Sequence, residues 1–248
     1  MAGMSKLRTR INRLLSIPLA RALDRVPGLE QFTSAHADTH RLHIALTRLR
    51  RRGLVIETVY DVGAHRGAWT AGVRRSLPGA RFFLFEAHEA HADALANTGE
   101  RYFTAVLSSE EKPVEFFGAG TSGDSYFREL TDRYAAVAPK TRLATTLDQM
   151  IEEHGLPLPD FIKADVQGAE LDVLTGGREA LNHAKLVLLE CPILPYNLGA
   201  PTIDEYFRFM DECGFTVLQF VDELWPDGRM RHVDVLFGNV SIMEKLTQ

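Results

Sequence analysis

The sequence predicts an α/β fold: a mostly parallel sheet covered by helices on both faces, closed at its end by an antiparallel hairpin strand. Three observations predict it. From Gly53 onward, short apolar runs alternate with helical segments, the rhythm of parallel strands joined by crossover helices. Several runs are apolar throughout, as in strands buried on both faces. The last two strand candidates, Phe215–Val221 and Val233–Phe237, are separated by the turn signal Trp225-Pro226-Asp227-Gly228 and leave no room for a crossover helix.

The elements follow in order. Residues 5–26 read as an amphipathic helix with Leu7, Ile11, Leu14, Leu15 and Ala22 near one face, and Pro18 dividing it. A second helix covers 36–52, ending in Arg50, Arg51 and Arg52 before Gly53, which suits the helix dipole and a C-terminal glycine. Strands are expected at Val59–Val62, Arg81–Phe85, 102–107, Val114–Phe117, Phe161–Ala164 and Lys185–Leu189. Helices are expected at 68–76, 88–97, Thr146–His154, 169–181 and 202–213, with a Gly/Ser/Thr-rich loop at 118–125. Two parts result: a basic helical extension, 1–52, and a Rossmann-like domain, 53–248.

Of the 248 residues, 45% are hydrophobic and 25% charged, an ordinary globular balance. No run approaches the ~20 apolar residues of a membrane span, and the start of the chain has no signal-peptide core. Cys191 and Cys213 form no CxxC pair, so neither a disulfide scaffold nor a zinc site is expected, and a cytoplasmic location fits. Residues 1–52 carry eleven Lys/Arg against three Asp/Glu, while the whole chain is net −5. The domain itself is therefore acidic, and nucleic acid is not the expected partner. The basic helix has two readings: packing on the domain or on a second subunit of a homo-oligomer, or peripheral contact with an anionic membrane surface at its inner face.

The first strand runs into Asp61-Val62-Gly63-Ala64-His65-Arg66-Gly67. Glycines at a strand-to-helix turn let backbone approach a ligand closely, so Gly63, Ala64, His65 and Gly67 are candidate cofactor contacts. The spacing is not GxGxxG, which weakens a pyrophosphate-bearing cofactor such as NAD. A sulfonium cofactor has no pyrophosphate, and Asp61 could balance its cationic end. Glu86, about 20 residues after the loop, can hold both ribose hydroxyls, with Ala87 beside it. Ser108, after the third strand, is a candidate for the adenine.

The strand Phe161–Ala164 delivers Asp165 at its carboxyl end, and the next ends in Glu190. Two carboxylates on adjacent strand ends can orient a hydroxyl, act as a base, or hold a divalent metal. Glu170, in the first turn of the following helix, has either a site role or a dipole-capping one. His65 is a second candidate base. Tyr126 and the loop 118–127 are placed to close over an acceptor.

These segments resemble one family. DVGAHRG (Asp61–Gly67), Thr146-Leu147-Asp148, IKADVQGAELDVLTGG (Ile162–Gly177) and Leu189-Glu190 are similar to the FkbM methyltransferases, over roughly residues 55–240. The resemblance implies a class I methyltransferase sheet, S-adenosylmethionine as methyl donor, and O-methylation of a sugar, glycan or natural-product-like small molecule. It places Asp165, Gly168, Glu170 and Glu190 in a shared pocket. His65 and Cys191 depart from the usual pattern and leave the substrate open. A non-catalytic cofactor-binding or scaffold protein, recruited to membranes by its basic helix, is the rival reading. Retention of Asp61, Glu86, Asp165 and Glu190 speaks against such decay.

Overall fold

A computed structural model describes residues 30–247, apart from 131–133, 135, 195 and 225–227. The amphipathic helix expected over 5–26, and with it the membrane or subunit contact, lies outside the described residues. Among the described residues, no helix is long and apolar enough to cross a membrane.

The seven-stranded sheet has the order β3-β2-β1-β7-β8-β10-β9. Its strands are β1 Thr58–Val62, β2 Arg81–Glu86, β3 Arg101–Thr104, β7 Phe161–Ala164, β8 Leu186–Pro192, β9 Phe215–Leu224 and β10 His232–Asn239. Strands β3, β2, β1, β7 and β8 are parallel, and β10 runs antiparallel to both β8 and β9. The final hairpin forms as the turn signal predicts.

Successive strand residues point to opposite faces, and the core divides accordingly. Tyr60, Val62, Ile162, Val187 and Leu189 pack with α4 Leu147–His154, α5 Glu170–Thr175, α6 Arg178–His183 and α7 Ile203–Glu212. Val59, Phe82, Leu84, Phe161 and Leu188 pack on the other face with α1 Glu30–Arg51, α2 Ala68–Val73 and α3 Ala92–Ala96. Asp61 and Lys163 alternate with the first set, so the pleat turns both to the α1/α2 side, in register with each other.

The structure corrects three boundaries. The strand read over 102–107 breaks at Ala105. Its second half, β4 Val106–Leu107, joins a separate three-stranded sheet with β5 Lys112–Phe116 and β6 Lys140–Thr145. The helix read over 169–181 is two helices, split at Gly176-Gly177 where any Cβ on Gly176 would overlap the Ser108 carbonyl. A further helix, α8 Val240–Thr247, follows the last strand.

Candidate active site

Two clefts open at the carboxyl ends of the parallel strands. This is where α/β sheets bind ligands.

The first cleft is built around the turn after β1. Gly63 (φ 75°) and Gly67 (φ 75°) are left-handed, and a Cβ on Gly63 would overlap the Asp165 carbonyl. The Gly63 and Ala64 N–H groups donate to the Phe85 carbonyl at 2.9 and 3.0 Å, tying the turn to β2. Glu86 fixes the next part: it accepts from the N–H of His65 (2.7 Å) and of His88 (2.8 Å). The carboxylate oxygens retain lone pairs on a cleft wall shared with Gly63, His65, Ala87, Val106 and Asp165. Asp61, Ala64, Gly67 and Ser108 are not on this wall. Ala64 and Gly67 shape the turn, and Ser108 is buried beside the Tyr126 hydroxyl at 3.4 Å. Thr121, Ser122, Asp124, Ser125 and Tyr126 line this first cleft, with Tyr126 anchored by donation to Asp172 at 2.8 Å.

His65, itself left-handed (φ 50°), packs its ring 4.1 Å from that of His91, and its Nε2 is buried without a partner among the described residues. Burial and the neighbouring His91 and Arg66 lower its pKa, so the ring is neutral near pH 7.

Asp61 lies beneath the turn, fully buried. Its Oδ2 accepts from the Thr70 hydroxyl at 2.7 Å, and Oδ1 is 3.1 Å from the Lys163 ammonium, an ion pair rather than an aligned hydrogen bond. Lys163 also donates to the Gly63 carbonyl at 2.9 Å and lies 3.5 Å from Asp165 Oδ2. Burial pulls the Lys163 pKa down, but Asp61 and Asp165 together outweigh it and hold the group charged. The sequence offered a signal for this residue, a lone charge inside an apolar strand.

Asp165 and Glu190 converge as the adjacent strand ends predict. Gln167, also left-handed (φ 57°), donates Nε2 to Asp165 Oδ1 at 2.8 Å and to Glu190 Oε1 at 3.0 Å. Asp165 and Gln167 face the first cleft, while Glu190 faces the second. The Tyr196 hydroxyl donates to the same Glu190 oxygen at 2.6 Å, so no described residue donates to Oε2. Burial, then Asp165 and Asp234, raise the Glu190 pKa well above the ordinary carboxylate range.

The Gln167 amide takes the position between Asp165 and Glu190 that a shared metal would need. The set with ligand-like geometry is instead Glu190, His232 and Asp234, whose ligand atoms all lie within 4.8 Å of one another. Asp165 is not part of it. Glu170 faces neither cleft: buried, it accepts from the N–H of Val166 (2.7 Å) and Gly168 (3.0 Å) and from the Tyr206 hydroxyl, locking the 165–168 turn. Burial lifts its pKa to about 7. Sequence reasoning read Gln167 only as a turn residue, and missed Tyr196, Asn197, His232 and Asp234, which arrive from other loops and strands.

Residues 61–217 match the family model described as the methyltransferase FkbM domain. The 2-O-methyltransferase NoeI of Sinorhizobium fredii is 28% identical over 53% of this chain and 62% of its own length. The hexuronic acid methyltransferase AglP of Haloferax volcanii is 26% identical over 54% of this chain and 55% of its own. The chain thus spans roughly three fifths of the curated relatives it matches. A solved magnesium protoporphyrin IX methyltransferase from Synechocystis overlays with a TM-score of 0.49 at 9% identity, covering 94% of this chain and 96% of that one.

Proposed function

The chain belongs to the FkbM methyltransferase family, and from that premise we propose that it transfers a methyl group from S-adenosylmethionine to a hydroxyl of a sugar or glycan acceptor. The observation that carries the reading is Gln167, whose one amide nitrogen joins Asp165 on the first cleft to Glu190 on the second. The first cleft fits the donor. Its turn admits close approach, Glu86 keeps lone pairs for a ribose diol, and Phe85 with Ala105–Leu107 offers an apolar wall for an aromatic base. S-adenosylmethionine, when bound, supplies an electrophilic methyl on sulfur.

The chain's own residues then do three things. The 165–168 turn, locked by Glu170, sets the two clefts at a fixed separation, which aligns acceptor oxygen and methyl. Glu190 Oε2 takes the acceptor's proton as the new C–O bond forms and the C–S bond breaks. Burial and the neighbouring acids raise its proton affinity above that of an ordinary carboxylate. Asp165, charge-paired with Lys163, holds the Gln167 bridge. His65 is placed on the donor side only and serves the turn, not the proton transfer. This scheme requires no metal: turnover is expected to persist in excess chelator, and loss of turnover would hand the acceptor oxygen to a cation at Glu190, His232 and Asp234.

The test is calorimetry of S-adenosylmethionine and of NAD on the same sample. Micromolar binding of the first and none of the second is expected. Binding of neither removes the basis of the reading.

A further inference from the structure

Asn197 is 5% exposed and sits on the wall of the second cleft, yet its Oδ1 has no partner among the described residues. The amide orientation is fixed because Nδ2 donates to the Gln167 carbonyl at 2.6 Å. Oδ1 is therefore a committed acceptor awaiting a donor, and buried polar atoms are normally satisfied.

The remaining side chains on this wall repeat the theme. Glu190 and Asp204 are carboxylates, acceptors when ionised. The Thr202 hydroxyl is already given to Asp204 and Glu205, at 2.7 Å each, and the Tyr196 hydroxyl is given to Glu190. No Lys, Arg or His lines the cleft among the described residues. The neighbouring cations are already paired: Lys163 with Asp61 and Asp165, Arg208 with Asp204 itself at 3.3 Å, and Arg231 over the Tyr196 ring at 5.9 Å; His232 Nδ1 lies 3.4 Å from Glu190 Oε1, and burial lowers its pKa.

Building on the reading above, we propose that the second cleft is the acceptor subsite and that it takes a donor-presenting sugar, neutral or amino-substituted, and rejects a carboxylate-bearing one. Hydroxyl or ammonium groups satisfy Asn197 Oδ1 and the two carboxylates. A uronic acid would bring a further carboxylate against Glu190 and Asp204, with no Lys, Arg or His on the wall among the described residues to receive it.

The test is binding to the full chain with S-adenosylhomocysteine present, by saturation-transfer NMR and titration. The probes are methyl glucoside, methyl glucosaminide and methyl glucuronide at pH 7.5. The first two are expected to bind at least ten-fold more tightly than the third, and Asp204→Lys to narrow that gap. A glucuronide that binds as well as the others overturns the proposal, as does failure of all three to bind. Binding in the expected order without methyl transfer leaves this inference standing and sinks the assignment of the reaction instead.

Discussion

Lys163→Met tests the buried charge layer beneath the first cleft. Methionine keeps most of the volume but removes the ammonium that sits 3.1 Å from Asp61, a carboxylate with no exposed surface. Breaking a buried pair from one side costs about 3–5 kcal/mol, because the partner is left uncompensated. A second estimate agrees. If Asp61 escapes by taking a proton, drawing it from an ordinary value near 3.9 up to pH 7 costs roughly 4 kcal/mol, at ~1.4 kcal/mol per unit. The escape route carries a signature. The deficit should be largest near pH 8 and should shrink by up to ~1.4 kcal/mol per unit as pH falls toward 5, where protonating the acid costs only about 1.5 kcal/mol. Urea unfolding across pH 5–8 reads it, with Lys163→Met/Asp61→Asn as the partner variant expected to recover most of the loss. A deficit below about 1 kcal/mol at pH 8, or one that is flat with pH, refutes the account of Lys163 as the counter-charge to Asp61.

Four further outcomes follow from the same geometry. Glu190→Gln should lower kcat by about 10²–10⁴, the usual worth of a positioned base, with a smaller change in acceptor KM; unchanged kcat moves the proton transfer elsewhere. Glu86→Ala should weaken S-adenosylmethionine by roughly 10–100-fold, the scale of a lost hydrogen bond to a charged group at about 1.5–3 kcal/mol, read by calorimetry. Gly63→Ala should destabilise by more than the ~1–2 kcal/mol of a left-handed L-residue, because its Cβ meets the Asp165 carbonyl; Gly79→Ala, left-handed but with nothing within 4 Å, should lose only that amount, and equal losses would count against the overlap. Glu170 holds a raised pKa of about 7 against an ordinary 4.5. The native state therefore binds the extra proton between those values, so this group's contribution falls as pH rises from 4.5 to 7, by about 3 kcal/mol. Comparing the stability profiles of the wild type and Glu170→Gln across that window measures it, and parallel profiles would exclude the effect.

The parts of the fold legible in the sequence are those where one local signal suffices. Phe161–Ala164 is apolar but for Lys163 and is buried at all four positions. The closing hairpin is announced by a turn with no room for a helix. Strand β6, Lys140–Thr145, escaped because its pattern is weak: Leu143 is 67% exposed and only Ala144 is buried. The break at Ala105 escaped because residues 102–107 read as one continuous strand, although its halves pair with different sheets. At the site, Asp165, Glu190 and Glu86 were legible as acids at strand ends. Asp61 carried the same signal yet lies below the cleft, since the pleat that sends it to Lys163 depends on register between strands about 100 residues apart. Asn197, His232 and Asp234 reach the site from distant segments, and nothing local marks them.

The motif from Lys163 to Glu170 gains its density of polar residues from this geometry. Lys163 points into the α1/α2 layer and holds the Gly63 carbonyl, which places the turn after β1. Asp165 leaves the strand end into the first cleft, Gln167 crosses to the second, and Glu170 turns back to bind the N–H groups of Val166 and Gly168. A left-handed Gln167 is costly for a residue with a Cβ, and the turn tolerates it because Glu170 and Asn197 hold the backbone on both sides. Neither support touches the donor wall, yet either one lost would let the Gln167 amide swing away from one carboxylate. Substitutions at Glu170 or Asn197 should therefore uncouple the two clefts before they empty either of them, with methyl transfer falling faster than the binding of donor or acceptor measured alone.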